Sequence, residues 1–283
     1  ADVADRAAVR RAVAGRDAVI HLAAKVGISG SWPDFLRSNV TGTGVVVEAC
    51  RDLGVPRLVH VSSPSVAHGG TSLVGVGAEP ADPEHARGHY ARSKAIAERI
   101  ALAASGEALR VLAIRPHLVW GPGDTQLVAK IVARARRGSL PVLGSGAALV
   151  DSTYVDNAVD ALVAALDRVE QIHGRALVVT NGEPRPVAEL ISGMAAAGGA
   201  PPPHRHVPVG AGMLAGAAVE AVWTLRAATG RPAGDPPMTR FLAEQLSTAH
   251  WFDQRQTREL LQWRPAVDLD TGFRRLADSF AHR

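Results

Sequence analysis

Three short apolar runs alternate with two helical patterns in the first part of the chain. The runs at 17–24, 57–61 and 109–114 are rich in Val, Ile and Leu, which is typical of parallel strands buried on both faces. The stretches between them, 34–51 and 90–104, have the length and apolar spacing of helices. A strand–helix–strand order with connections of this length predicts a doubly wound parallel α/β sheet with right-handed crossovers.

The predicted sheet gathers small and polar residues at one edge, because the carboxyl ends of parallel strands lie together. The first run ends in Ala23 and Ala24, the second leads into Ser62 and Ser63, and the third is closed by Pro116. Ligands of open α/β sheets bind outside these strand ends. We therefore expect the functional site at this edge.

Tyr90 and Lys94 lie four residues apart in the helix after the second strand, so they share one helix face. A free phenol titrates near ~10 and exchanges protons poorly at pH 7. A cation beside it stabilises the phenolate and lowers the pKa. Tyr90 could then pass a proton to or from a substrate oxygen, whereas the same pair on a solvated helix face would have no such role.

Three hydroxyl groups follow the second strand, on Ser62, Ser63 and Ser65. One of them can hydrogen-bond a substrate carbonyl opposite Tyr90, or it can cap the turn at the strand end. Spacing alone does not separate the three.

Charge and cysteine content argue against other classes of function. The formal net charge is +4 over 283 residues, with scattered basic residues and no aromatic interleaving, so nucleic-acid binding is not expected. Cys50 is the only cysteine, and we expect it to be buried in a protein of a reducing compartment, the cytoplasm. Asp151, Asp156 and Asp160 fit a turn before a helix, and no metal site is predicted.

The most apolar stretch is 207–225, which contains Pro208, Glu220 and three glycines. This composition favours a buried or cap helix over a membrane span. Contact with a membrane surface is not favoured, and a homodimer is one possible assembly.

Several motifs, in the right order, resemble the extended short-chain dehydrogenase/reductase family of the NAD-dependent epimerase/dehydratase superfamily. They are Ser63, Tyr90 and Lys94 with the segments 21–24, 39–43, 115–116 and 154–157. Within that family the chain is most similar to the 3β-hydroxysteroid dehydrogenase branch. The resemblance implies a Rossmann-like fold and NAD or NADP as cofactor.

The resemblance also implies roles for individual residues. Tyr90 would be the general acid/base, Lys94 would lower its pKa and hold the nicotinamide ribose, and Ser63 would bind the substrate carbonyl. The implied cofactor-binding residues are Asp2, Val3, Ala23, Ala24, Lys25, Asn39, Tyr90, Lys94, Pro116, His117 and Val119. The residues expected on the substrate side are Ser65, Trp32 and Trp120.

The resemblance divides the chain near residue 120. Residues 1–120 would form a partial dinucleotide-binding Rossmann domain, and 121–283 mainly a smaller substrate-binding region, with 150–180 returning to the sheet. Members of the family begin with a strand and a Gly-rich turn that binds the cofactor pyrophosphate, and this sequence has no such turn. We therefore expect an N-terminally truncated sheet whose exposed edge is prone to aggregation.

The expected activity is an NAD(P)-dependent interconversion of a secondary alcohol and a ketone on a small apolar 3-hydroxy or 3-oxo substrate. We expect the apolar segment 213–225, with Trp251 and Phe252, to line its pocket, because burial of each methylene is worth ~0.8 kcal/mol. One alternative is a nucleotide-sugar epimerase or dehydratase, which needs convergent basic groups; the candidates are Arg205, Arg226 and Arg240. The other alternative is an inert fragment.

Overall fold

The computed structural model describes residues 2–27, 30–228 and 239–281. Its strands are β1 (Val19–His21), β2 (Arg57–Val61), β3 (Leu73–Val76), β4 (Arg110–Pro116), β5 (Val119–Trp120), β6 (Pro141–Leu143), β7 (Leu149–Val150), β8 (Thr153–Tyr154), β9 (Arg175–Val179), β10 (Arg185–Pro186), β11 (Arg205–Val207) and β12 (His250–Phe252). Its helices are α1 (Arg6–Val13), α2 (Trp32–Phe35), α3 (Gly42–Asp52), α4 (Gly88–Ala103), α5 (Val128–Arg136), α6 (Val155–Ile172), α7 (Val187–Ala197), α8 (Val209–Ala228), α9 (Arg240–Gln245), α10 (Arg255–Leu261) and α11 (Leu269–Ala281). A π-helical segment, Leu36–Thr41, joins α2 to α3, and a 3-10 turn, Pro64–Ala67, follows β2.

The central sheet has four parallel strands in the order β1-β2-β4-β9. Successive side chains of a pleated strand point to opposite faces, and the core follows that alternation. Leu58 and Val111 pack with α1, α3 and α4 on one face, whereas Val59 and Leu112 pack with α6 and α10 on the other. The doubly wound α/β fold predicted from the sequence is confirmed.

The first strand is shorter than the predicted run 17–24, because the chain leaves the sheet after His21. Leu22 is 58% exposed, so it does not belong to a buried strand. Beyond the strand, the side-chain amide of Asn39 satisfies the backbone of Lys25 in place of a neighbouring strand. Its Oδ1 accepts from the backbone N–H of Lys25 at 2.7 Å, and its Nδ2 donates to the Lys25 carbonyl at 3.0 Å.

A second sheet, in the order β10-β7-β12-β3, lies in segments for which the sequence predicted no strand. Its strands β3 and β12 pair in parallel although 177 residues separate Leu73 from His250. The single glycine-interrupted run at 73–76 carries no local sign of this pairing. The second sheet brings β12 to the carboxyl-terminal edge of the central sheet.

Helix α8 covers the apolar stretch 207–225 and packs against α9. The two helices approach closely at Gly216, where a Cβ would lie 2.6 Å from the backbone of Arg240. Leu214 and Leu225 are 74% and 67% exposed, and contact of this stretch with a substrate stays a prediction. Among the described helices, none is long and apolar enough to cross a bilayer.

His60 is fully buried in β2, and neither of its ring nitrogens has a hydrogen-bond partner among the described residues. Burial, with smaller contributions from Lys94 and His21, holds the pKa of His60 well below its usual 6.5. The folded chain therefore keeps this imidazole neutral, whereas the unfolded chain protonates it below about pH 6.5. Because the unfolded state then binds the extra proton, His60 makes the fold less stable as the pH falls.

The substitution His60→Leu should flatten the dependence of the unfolding free energy on pH. Between pH 6 and pH 5 the wild type should lose up to about 1.4 kcal/mol more than the variant, which corresponds to one proton per pH unit. Urea unfolding at pH 7.5, 6 and 5 measures the difference. The same substitution at His206, which is exposed on β11, should leave the slope unchanged. An identical slope for wild type and His60→Leu would contradict the prediction.

Candidate active site

A pocket of about 440 Å³ opens at the carboxyl ends of β2 and β4. Its walls come from the end of β2 and the 3-10 turn, from the first turn of α4, from the loop after β4, and from β12. The residues predicted for the site that line it are Ser63, Ser65, Tyr90, Pro116, His117 and Val119. The strand-end edge of the sheet thus forms a cavity, as expected from the order of the elements.

Ser63 is the serine whose hydroxyl acts on Tyr90. Both residues line the pocket, Ser63 lowers the pKa of the phenol, and its Oγ lies 2.9 Å from Oγ of Ser65. Ser63 also caps the 3-10 turn, since its Oγ accepts from the backbone N–H of Ser65 at 3.3 Å. The Oγ of Ser62 is buried, with no partner among the described residues. The structure therefore separates the three serines that spacing left equivalent.

Tyr90 and Lys94 both retain their protons at pH 7, for different reasons. Burial raises the pKa of Tyr90, and the hydrogen bond with Ser63 opposes that rise. Burial lowers the pKa of Lys94 to about 8, while the charge of Glu98 opposes the change. The ammonium of Lys94 donates to the Val61 carbonyl at 2.6 Å. The expectation that Lys94 lowers the pKa of Tyr90 is not met here, because burial of the phenol dominates.

A buried ion pair lies beneath these groups, between Arg115 at the end of β4 and Glu98 on α4. Arg115 Nε and Nη2 donate to the two carboxylate oxygens at 2.8 and 2.6 Å, and Nη1 donates to the Glu79 carbonyl at 2.7 Å. The two side chains are 2% and 1% exposed. Glu98 is one helical turn from Lys94. Arg115 therefore holds a carboxylate in place whose negative charge favours the protonated form of Lys94.

Asn39 connects the loop after β1 to the helix that carries Tyr90. Besides its two bonds to the Lys25 backbone, its Nδ2 donates to Ser93 Oγ at 2.8 Å, and that hydroxyl donates to the Tyr90 carbonyl at 2.8 Å. Both amide hydrogens are therefore used within the protein. Asn39, which lies in the π-helical segment, therefore joins the loop after β1 to α4, and its implied contact with the cofactor stays a prediction.

The remaining predicted cofactor residues lie beside β1 and not in the pocket. The Asp2 carboxylate accepts from Arg37 at 2.5 Å, and its pKa is lowered by the Ala4 backbone N–H and then by Arg37. Val3 packs on Gly42, where an added Cβ would lie 2.6 Å from the Val3 side chain. Cofactor contact by Asp2, Val3, Ala23, Ala24 and Lys25 stays a prediction.

Two tryptophans predicted on the substrate side lie elsewhere. Trp120 is 1% exposed, stacks on Phe273 at 4.7 Å between ring centroids, and donates from Nε1 to Ser152 Oγ. It is part of the apolar core between α5, α7 and α11, so the substrate prediction is wrong. Trp32 packs against the His89 ring and beneath the Arg92 guanidinium, and the structure does not bring it to the pocket.

Sequence reasoning missed part of the pocket wall. The additional lining residues include His68, Leu73, Gln245, His250 and Phe252, of which only Phe252 was expected. His68 could have been found, because it follows Ser65 by one turn of a 3-10 helix. The other four depend on the pairing of β3 with β12 or on α9, and no local pattern indicates those contacts. The neighbouring Trp251 lines a different cleft.

The residues at the strand ends fit a nicotinamide nucleotide. Lys94 carries a buried cation with three donors, and its bond to Val61 uses one of them. The Ser62 hydroxyl is buried without a partner among the described residues, which leaves a polar group for a ligand to satisfy. Ala23 and Ala24 follow β1 with small side chains, so a ribose or a flat ring can approach the backbone.

The three arginines that a diphosphate would need do not converge on this pocket. Arg240 pairs with Glu220 at 2.8 Å, Arg226 lies over the Trp223 ring, and Arg205 lies on β11. None of them is among the described residues that line the cavity beside Tyr90. The arrangement therefore lacks the feature that would favour the epimerase alternative.

Comparison with known proteins also favours a dehydrogenase or reductase over an epimerase. Residues 1–208 match the model of the 3-beta hydroxysteroid dehydrogenase/isomerase family. A 2-alkyl-3-oxoalkanoate reductase of Stenotrophomonas maltophilia is 43% identical over 285 residues, covering 99% of this chain and 85% of that protein. The mouse sterol-4-alpha-carboxylate 3-dehydrogenase (decarboxylating) is 30% identical over 287 residues, covering 96% and 76%.

Among solved structures, the dTDP-glucose 4,6-dehydratase of Streptomyces venezuelae, with NAD bound, superposes with a TM-score of 0.74. It is 22% identical, and the match covers 100% of this chain and 79% of that protein. At this identity the likeness establishes the fold alone, and it agrees with the Rossmann-like sheet described above.

Proposed function

The chain belongs to the 3-beta hydroxysteroid dehydrogenase/isomerase family, and we propose that its substrate is an apolar 3-oxo carboxylic acid, which it reduces to the 3-hydroxy acid. The broader activity is that of an NAD(P)-dependent oxidoreductase acting on a 3-hydroxy or 3-oxo substrate. The observation that carries the proposal is that Ser63 and Tyr90 line the same pocket, with the Lys94 cation one helical turn from Tyr90.

The chemistry of these groups suits carbonyl reduction. When bound, the nicotinamide cofactor supplies the hydride for the carbonyl carbon, or accepts it in the reverse direction. Ser63 and Tyr90 can both donate hydrogen bonds to the substrate oxygen, and the raised pKa of Tyr90 keeps its proton available for transfer. Lys94 remains cationic at pH 7, one helical turn from Tyr90, where its free donors can hold the ribose of the cofactor. The Ser63–Ser65 pair offers a route by which Tyr90 regains a proton.

An apolar substrate is supported by the rest of the cavity. Its wall is formed by Val26, Leu73, Leu118, Val119 and Phe252 around the hydroxyl groups. Burial of an alkyl chain against such a wall is favourable by ~0.8 kcal/mol per methylene.

A substrate panel tests the proposal with the full chain. NADH or NADPH oxidation, followed by absorbance, should be seen with 2-alkyl-3-oxoalkanoic acids, and the reverse reaction with the corresponding 3-hydroxy acids and NAD⁺ or NADP⁺. Weaker turnover is expected with a 3β-hydroxysteroid, and none with UDP- or dTDP-sugars. Turnover of the sugar nucleotides without turnover of the acids would favour the epimerase alternative instead.

We also propose that the protein works in the cytoplasm. The support is Cys50, which is fully buried in α3 as a free thiol. Burial raises the pKa of that thiol to about 11, so it acts as an apolar core residue and not as a redox group. Reaction of Cys50 with a thiol-specific reagent at pH 8 should therefore require unfolding.

A further inference from the structure

Three histidine rings line one side of the pocket, next to the catalytic hydroxyls. His68 follows the 3-10 turn, His117 follows β4, and His250 begins β12. The ring centroids of His68 and His250 are 4.8 Å apart, and those of His117 and His250 are 6.3 Å apart. The proposed proton transfer uses none of these rings, so their position at the pocket needs another explanation.

His68 lies in the same pocket as the groups that bind the carbonyl. It directly follows the 3-10 turn that Ser63 caps, and its backbone N–H donates to the Ser65 carbonyl at 3.3 Å. Ser65 in turn contacts Ser63. Because Ser63, Tyr90 and His68 all line this pocket, one ligand can reach all three.

The ring of His68 has no hydrogen-bond partner for either nitrogen among the described residues, although it is only 3% exposed. A buried polar group without a partner is costly, and in native proteins such groups are normally paired. Nδ1 of His117 is likewise buried and unpaired there, whereas Nε2 of His250 is 3.3 Å from Thr248 Oγ1. The pocket wall thus carries free hydrogen-bonding capacity that a polar ligand group can use.

The charges around His68 come from each element packed against it. Arg87, before α4, forms an ion pair with Glu244 on α9 at 2.9 Å, so the acid nearest His68 is already compensated. Burial lowers the pKa of His68, Glu244 opposes this and Arg87 adds to it. His250 and His117 complete the surroundings, and burial lowers the pKa of each. All three rings are therefore neutral at pH 7 in the free protein.

The two relatives compared above act, by their names, on acids of one type. A 2-alkyl-3-oxoalkanoate and a sterol 4α-carboxylate both carry the carboxylate on the carbon next to the one that bears the oxygen function. A site for such a compound needs a donor for the carboxylate close to the donors for the carbonyl. The pocket can provide both, because His68 lines it together with Ser63 and Tyr90.

We infer that His68, backed by His250, binds the carboxylate of the substrate and so selects 3-oxo acids over neutral ketones. The inference rests on the proposed function, because the carbonyl is taken to lie at Ser63 and Tyr90. A carboxylate against His68 satisfies its unpaired nitrogen with a charge-assisted hydrogen bond, which is among the stronger kinds in proteins. The negative charge also favours the imidazolium form, so binding of the acid should take up protons near pH 6.5.

Calorimetric binding to the full chain tests the inference independently of turnover. The ligands are a 2-alkyl-3-hydroxyalkanoic acid, which is stable, and its methyl ester, each with NAD⁺ or NADP⁺ present. The wild type should bind the acid about 10–100-fold more tightly than the ester, the range expected for one hydrogen bond to a charged group. In His68→Phe that preference should fall below about three-fold. His206→Phe, with the same substitution on β11, should retain it.

Two further measurements separate a binding role from a structural one. Titrations at pH 6.5 in two buffers of different ionisation enthalpy should show proton uptake with the acid in the wild type, and less in His68→Phe. If His68→Phe does not fold, His68→Asn should fold with a reduced preference, because it keeps a donor but cannot become charged. Equal binding of acid and ester by the wild type, or a preference that survives in folded His68→Phe, would overturn the inference. Absence of turnover with preserved acid selectivity would instead count against the proposed reaction.

Discussion

Replacing Tyr90 by phenylalanine is expected to lower kcat by about 10²–10⁴-fold, the usual contribution of a positioned general acid or base. The phenol is the group that can give a proton to the substrate oxygen, and it lines the pocket together with Ser63. Cofactor affinity should change little, because the substitution removes only one hydroxyl and leaves in place the Lys94 cation, the other cofactor contact expected of this helix. Steady-state kinetics with the 3-hydroxy acid, together with a cofactor titration, measure both quantities.

The chain offers a matched control for this substitution, since it contains only one other tyrosine. Tyr154 is 1% exposed and packs against Trp120 in the core between α5, α7 and α11. Tyr154→Phe removes a hydroxyl that does not reach the pocket, so kcat should stay within about two-fold of the wild-type value. Wild-type turnover in Tyr90→Phe would refute the catalytic assignment.

Replacing Arg115 by methionine should lower the unfolding free energy by about 3–5 kcal/mol, because it leaves the Glu98 carboxylate buried without its partner. The guanidinium makes both hydrogen bonds to that carboxylate, and both side chains are almost completely inaccessible. A loss of this size is a large part of the stability of a typical domain. Urea unfolding of wild type and variant at pH 7 gives the difference directly.

Two further variants show whether the cost arises from the stranded charge. The double substitution Arg115→Met with Glu98→Leu removes both charges, so stability should return to near or above that of the wild type. Arg10→Met breaks the exposed pair with Asp52, whose side chains are 47% and 58% exposed, and should cost less than about 1 kcal/mol. If Arg115→Met costs no more than Arg10→Met, the buried pair does not stabilise the fold as argued.

The central sheet could be predicted because its information is local. Strand β2 was predicted with the bounds it has, and β4 within two residues, since each is an apolar run between clear turn signals. The strand-end rule then brought Ser63 and Pro116 to one pocket with Tyr90. These are the parts of the site that lie within two consecutive strand–helix units.

The remaining parts depend on contacts between distant segments. Strand β3 forms because β12 pairs with it, and His250 and Phe252 reach the pocket through that pairing. From the sequence, Trp120 was expected near the substrate. Its ring instead packs in the core against Tyr154 and Phe273, which come from distant parts of the chain. The apolar stretch on α8 has the same limit. Its sequence predicts a helix, but it does not indicate which other element that helix packs against.

The pairing of β3 with β12 also has a consequence for how the protein is made. The ends of this contact are 177 residues apart, so a ribosome completes the segment with Ser63, Tyr90 and Lys94 long before it reaches Phe252. Contacts of such separation close late, because the loop entropy must be overcome before the contact contributes. A nascent chain should therefore acquire its proton-transfer groups early, and the far wall of its pocket only after β12 has been synthesised.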